Sequence, residues 1–265
     1  MVADIPRIGF GTYDITDPDT CRESVRRALE VGYRHVDTAQ GYDNEGAVGT
    51  GIEAADLDRE GVFLATKLST RNLAYEDVLR STAESRRRLG VETIDLLYVH
   101  WPIRTYDPDE TLAALAELQD DGHVRHIGLS NFTVPLLDEA LEVLDRPILA
   151  HQVEMHPLLQ QSELHEYAVE ADHWLVAYSP VAKGQVAEIP VIQEIAAARD
   201  ATPGQVSLAW LLAKENVVPI PKSAGPHIEE NYAALDLDLR EEEIERIDGI
   251  DEERRLVDFD AAPWN

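Results

Sequence analysis

Short runs of valine, isoleucine and leucine recur along the chain, and the segments between them place apolar residues at helical spacing. The runs predict strands over Arg7–Thr12, Arg34–Ala39, Phe63–Leu68, Asp95–His100, His126–Asn131, Ala150–Met155, Trp174–Ser179 and Val217–Pro221. Such runs suit a parallel sheet covered by helices, and their spacing is close to the roughly 30 residues of one βαβ unit. Eight units predict a (β/α)8 TIM barrel, an α/β fold, in a single domain spanning residues 1–265. A doubly wound open sheet is the alternative; eight similar units with no division into halves favour closure.

Helix punctuation agrees with this reading. Asp107-Pro108-Asp109-Glu110 reads as a cap, a first-turn proline and a capping box, with Gly122 ending the helix. Thr202-Pro203-Gly204-Gln205 repeats the logic before Val206–Ala213, and Glu76–Leu89 ends at Gly90. Glu241-Glu242-Glu243 opens a final helix, where carboxylates suit the N-terminal dipole.

Composition narrows the class. No stretch approaches the roughly 18 apolar residues of a membrane span, and no basic-then-apolar leader opens the chain, so a soluble protein is expected. Cys21 is the only cysteine, which excludes an intrachain disulfide and fits a reducing cytoplasm. The net charge of −28 argues against nucleic-acid binding, which needs a basic footprint. Its bland reading is an acidic protein; its sharper one is a halophilic protein, since the Debye length falls to about 3 Å at 1 M salt and self-repulsion is screened. The nine histidines show no metal-ligand spacing, so no metal is expected, and with no apolar stripe to mark a partner face a monomer is expected. Lysine is scarce: only Lys67, Lys183, Lys214 and Lys222.

In a β/α barrel the loops after each strand form the active face. There strand two leads through Asp37 to Tyr42, strand three ends at Lys67 and strand four at His100, bringing together an acid, a phenol, a lysine and an imidazole. Asp37, Tyr42 and His100 each have ordinary structural explanations as turn cap, loop aromatic and core histidine. Lys67 is harder to dismiss, because a lysine ending a buried strand needs a partner or a task, and Asp37 on the adjacent strand could be that partner. A tyrosine beside such a cation becomes a usable acid at neutral pH.

At these residues the chain resembles the aldo-keto reductases. The resemblance rests on Gly32-Tyr33-Arg34-His35-Val36-Asp37-Thr38-Ala39, Gly41-Tyr42, Thr66-Lys67 and Tyr98-Val99-His100-Trp101-Pro102. It continues through Gly128-Leu129-Ser130-Asn131-Phe132, Gln152-Val153-Glu154-Met155-His156-Pro157, Ala177-Tyr178-Ser179-Pro180, Ile220-Pro221-Lys222-Ser223 and Glu230-Asn231. The resemblance implies NAD(P)H-dependent reduction of a small-molecule aldehyde or ketone, with Tyr42 as general acid, Lys67 lowering its pKa, Asp37 holding Lys67 and His100 orienting the carbonyl. It also implies that Ser130, Asn131 and Gln152 bind the nicotinamide carboxamide, that Tyr178 stacks on the ring with Ser179 beside it, and that Tyr13 and Trp101 wall the substrate pocket. The adenosine end would lie on Lys222 and Ser223, with His227, Glu230 and Asn231 near the adenine. The lack of a Rossmann glycine fingerprint is expected of this family.

Three departures bear on specificity. His227 stands where NADPH-preferring members carry arginine, and a largely neutral imidazole is a weaker phosphate partner than a guanidinium fork. Lys222 still argues for NADP(H), with NAD(H) an accepted second. Only Met1–Pro6 precedes the first strand, too little for the usual floor-plugging hairpin, and the stretch after Asp251 is short, so an open pocket with a broad substrate range is expected. Among subgroups the chain looks most like compact microbial reductases of the 2,5-diketo-gluconate reductase type, which accept keto-sugar acids, small dicarbonyls and aldehydes. Two alternatives are a Schiff-base aldolase using Lys67 and a nicotinamide-binding sensor or regulatory subunit.

Overall fold

The computed structural model describes residues 5–265. Eight strands, β1 (Gly9–Gly11), β2 (His35–Asp37), β3 (Phe63–Leu68), β4 (Ile94–Val99), β5 (Val124–Ser130), β6 (Ala150–Glu154), β7 (Trp174–Tyr178) and β8 (Val217–Pro219), pair in sequence order. Every adjacent pair is parallel. The ring closes where the Gly11 N–H donates to the Pro221 carbonyl at 3.1 Å and Gly11 bridges Lys222. A Cβ on Gly11 would lie 2.8 Å from the Ile220 carbonyl oxygen, so the closure requires glycine. The architecture is the expected (β/α)8 barrel, not an open sheet.

All eight predicted strands form, β3 with the expected bounds and the others with shifted ends. The first two keep only three paired residues each, and β8 stops before Pro221, where Pro219 and Pro221 remove ladder donors. Between strands run α1 (Pro18–Val31), α2 (Glu45–Glu53), α3 (Tyr75–Leu89), α4 (Pro108–Asp120), α5 (Val134–Leu144), α6 (Ser162–Glu170), α7 (Pro190–Arg199) and α8 (Pro203–Leu212). After β8 come α9 (His227–Tyr232) and α10 (Glu241–Asp248). Thr202 and Gln205 form a complete capping box. Asp107 caps α4 by accepting from the Glu110 N–H at 3.1 Å, but its own N–H turns to the Thr111 hydroxyl rather than to Glu110. Gly90, at φ 70°, ends α3 in the left-handed conformation glycine supplies without strain.

Strand alternation sorts the core into two shells. Ala65, Leu96, Tyr98, Ala150, Val176 and Val218 fill the barrel, whereas Leu64, Leu97, Val99 and Ile127 face the helices. The expectation for the floor rests on Met1–Pro6, of which residues 1–4 lie outside the described residues. Ile5 is buried and packs in the interior cluster, so the floor is covered there. No described helix is long and apolar enough to cross a membrane.

With 51 acids against 23 lysines and arginines, like-charge repulsion is a property of the whole shell. Raising KCl from 0.05 to about 1 M is expected to raise Tm by roughly 2–4 °C or more, the equivalent of about 1 kcal/mol. A flat or falling Tm in thermal scans contradicts this.

Candidate active site

Inward-facing positions at the strand ends converge on one mouth. Lys67 is fully buried at the end of β3, paired with the Asp37 carboxylate of β2. Its Nζ also donates to the Thr38 carbonyl at 2.9 Å and reaches the Tyr42 hydroxyl at 3.4 Å. The second Asp37 oxygen accepts from Gln152 Nε2 at 2.9 Å, so β6 joins the network from across the barrel. His100 follows β4, its ring edge-on to Tyr42 with centroids 5.8 Å apart.

The turn bearing Tyr42 is held by residues that sequence reasoning did not single out. Gln40 Oε1 accepts from the Ser69 N–H at 2.9 Å and Asn72 Nδ2 at 3.1 Å, and its Nε2 donates to the Ser85 hydroxyl. Asn44 donates to the Thr12 carbonyl at 2.9 Å and accepts from the Thr38 hydroxyl at 2.8 Å. Their signal in the chain was only their flanking of Gly41-Tyr42.

Burial dominates the protonation states. It raises the Tyr42 phenol well above its ordinary value, and the Asp37 and Tyr13 charges add to the effect. The lowered phenol expected from Lys67 is therefore not found in this site; the phenol keeps its proton at neutral pH. Burial pulls the Lys67 ammonium down, against Asp37, which holds it up. Burial, then the Lys67 charge, pushes His100 down to about 3, leaving a neutral imidazole.

Of the other predicted residues, Tyr13, Trp101, Asn131, Gln152, Tyr178, Ser179 and Lys222 line the same mouth, whereas Ser130, Ser223, His227, Glu230 and Asn231 do not line it. Asn131, at φ 63°, donates to the His100 carbonyl and the Ser130 hydroxyl, both at 3.0 Å, and accepts from the Tyr178 hydroxyl at 2.9 Å. A cavity of about 300 Å³ joins Tyr42, His100, Trp101 and Tyr13 on one side to Tyr178, Ser179, Lys183 and Lys222 on the other. Beyond Lys222, the Ser223 hydroxyl oxygen is buried with no hydrogen-bond partner among the described residues. On α9, His227 Nδ1 pairs with the Glu230 carboxylate at 3.0 Å, and Asn231 is buried.

The expectation of an open pocket is also overturned. Residues after Asp251 do not leave the pocket open: Val257 and Phe259 line it, and Trp101 packs against Phe259 and Trp264 at centroid distances of 4.9 and 5.5 Å. Two aromatic residues within seven positions, in a chain only 6% aromatic, were the available signal.

Comparison with known proteins agrees with this geometry. The family model described as "Aldo/keto reductase family" matches residues 7–252. The methylglyoxal reductase DkgB of Escherichia coli O157:H7 is 36% identical over 266 residues, covering 98% of this chain and 99% of that protein. A crystal structure of a putative 2,5-diketo-D-gluconic acid reductase B superposes with a TM-score of 0.93 at 35% identity, covering 97% of this chain and 92% of that one. A Bombyx mori aldo-keto reductase in complex with NADP superposes with a TM-score of 0.88 at 30% identity, covering 96% and 92%. None of these supports the aldolase or sensor readings or bears on the halophilic one, and Lys67, enclosed by Asp37 and Thr38, offers no free amine to a substrate. The chain belongs to the aldo/keto reductase family and is an oxidoreductase of carbonyl groups.

Proposed function

We propose that this barrel, as one domain, reduces small aldehydes, ketones and dicarbonyls to alcohols, with Tyr42 as the proton donor. The observation that carries the proposal is the single cavity connecting the Tyr42–His100 pair to Lys222, because a carbonyl and an extended phosphate-bearing cofactor need two such ends. The polar residues fit the nicotinamide cofactor the family uses: Asn131, Ser130 and Tyr178 form a connected frame for its carboxamide end, Ser179 lies beside it, and Ser223 leaves an unpaired hydroxyl beside Lys222.

When bound, the cofactor supplies hydride to the carbonyl carbon. The chain's part concerns the oxygen. Tyr42 keeps its proton until negative charge grows on that oxygen, a far stronger base than the phenolate, and then donates it. Lys67, 3.4 Å away, stabilises the phenolate left behind, and Asp37 keeps Lys67 charged against the cost of burial. Neutral His100 offers an N–H to the same oxygen and does not compete as an acid. Gln152 fixes Asp37, while Tyr13 and Trp101 shape the mouth.

NADPH is the favoured cofactor and NADH an accepted one. Lys222 makes no ion pair among the described residues and is the cation available to a 2′-phosphate, whereas His227 is engaged by Glu230, whose carboxylate opposes that phosphate. The lone Cys21, buried with its thiol pushed up to about 11, and the acid excess support a monomeric protein of the cytoplasm that leaves nucleic acids alone.

Tyr42→Phe is expected to lower kcat at least about 100-fold with methylglyoxal, while NADPH affinity read by tryptophan fluorescence stays unchanged. Undiminished turnover would sink the mechanism. His227→Arg is expected to raise the NADPH-to-NADH ratio of kcat/KM by roughly tenfold or more, since a charge-assisted fork is worth about 1.5–3 kcal/mol. An unchanged ratio places the 2′-phosphate elsewhere.

A further inference from the structure

Glu154 ends β6 at the mouth with its side chain wholly buried, yet none of the steps above uses it. Its two carboxylate oxygens accept from the backbone N–H groups of Leu256 at 2.7 Å and Val257 at 2.9 Å, about a hundred residues away in the chain. His156 Nε2 lies 2.9 Å from the same carboxylate, and the Arg254 N–H donates to the Leu158 carbonyl at 2.6 Å, so the backbone attachment comes from the loop end of β6, with side-chain bonds from Arg254 to Gln185 Oε1 at 2.6 Å and from Lys183 Nζ to the Leu256 carbonyl at 3.5 Å beside it. Beyond the clamp the segment closes on itself. Asp258 accepts from the Trp264 indole at 3.0 Å and Asn265 Nδ2 at 2.9 Å, and the Arg255 guanidinium lies 4.0 Å over the Trp264 ring.

The clamped segment is a partition. On its inner side Val257 and Phe259 face the substrate cavity of about 300 Å³; on its outer side Asp251, Arg255 and Trp264 line a separate cleft of about 560 Å³. Apolar contact alone would let such a short stretch slide. Two hydrogen bonds to one buried carboxylate fix its register, because such bonds are strong and directional.

We propose that Glu154 is the specificity-determining positioning residue of the pocket, fastening residues 254–265 across the mouth so that Val257 and Phe259, with Trp101, form an apolar wall beyond the carbonyl. The wall selects carbonyl compounds carrying an aromatic or bulky apolar arm, which it contacts, over small dicarbonyls, which do not reach it. Glu154 touches neither reacting atoms nor cofactor; it acts through the backbone of Leu256 and Val257. The inference rests on the carbonyl-reductase reading, and the test separates the two.

The intact protein, with saturating NADPH, is assayed against methylglyoxal and phenylglyoxal. Absence of turnover with either compound in the unaltered chain would overturn the reductase reading itself. In Glu154→Gln, where an amide replaces an acceptor facing two donors, KM for phenylglyoxal is expected to rise at least tenfold while kcat and KM for methylglyoxal stay within twofold. Trypsin is expected to cut after Arg254 or Arg255 at least tenfold faster. Phe259→Ala is expected to reproduce the phenylglyoxal loss, and the double variant to be no worse than either single, because both changes remove one wall. Should Glu154→Gln fail to fold, Leu256→Pro deletes one donor from the segment alone and is expected to give the same selective loss. Equal changes for both compounds, no change, or multiplicative losses in the double variant would overturn the proposal.

Discussion

The interaction on which the rest depends is the ion pair between Lys67 and Asp37, sealed inside the barrel mouth. Burying such a pair is rarely a net gain in stability, since desolvating two charges costs about as much as their attraction returns, and removing one partner alone costs roughly 3–5 kcal/mol. The surroundings show how the cost is offset. Nζ has Asp37, the Thr38 carbonyl and the Tyr42 hydroxyl within reach, and Asp37 has Gln152 on its other oxygen. The β2–β3 register that aligns Asp37 with Ala65, two residues below Lys67, is what brings the charges together. A lysine kept charged in that position explains why a phenol raised by burial can still lose its proton during the reaction.

The same pair explains the use of scarce cations. In a chain of net charge −28, Lys183 and Lys222 line the cavity, and Lys67 lies buried behind its Asp37 and Tyr42 wall. The acidic shell repels an anionic cofactor at long range, and that repulsion is screened by salt within about a Debye length; the cavity lysines act inside that distance, where the phosphates settle. The shell and the site thus carry opposite signs for separate reasons.

Much of this was legible in the chain because barrel strands are local. Apolar runs marked all eight strands, and the polar residues just past their ends marked Asp37, Tyr42, Lys67 and His100 before any contact was known. What stayed hidden depended on distant partners. The sequence shows Glu154 as one more acid in a matched motif, and nothing local tells that its oxygens hold Leu256 and Val257. For the same reason the stretch after Asp251 reads as too short to cover a pocket, although a few residues suffice once clamped. The direction of the Tyr42 shift was missed because proximity to Lys67 is readable from strand order, whereas depth of burial is not.

The most direct measurement is a double-variant cycle on kcat for methylglyoxal with Lys67→Met, Asp37→Asn and the two combined. If the pair acts as one device that charges the neighbourhood of Tyr42, each single change loses nearly all that the combined change loses, because either one leaves Tyr42 without a supported cation. Losses that multiply in the combined variant would show two independent residues and contradict the account.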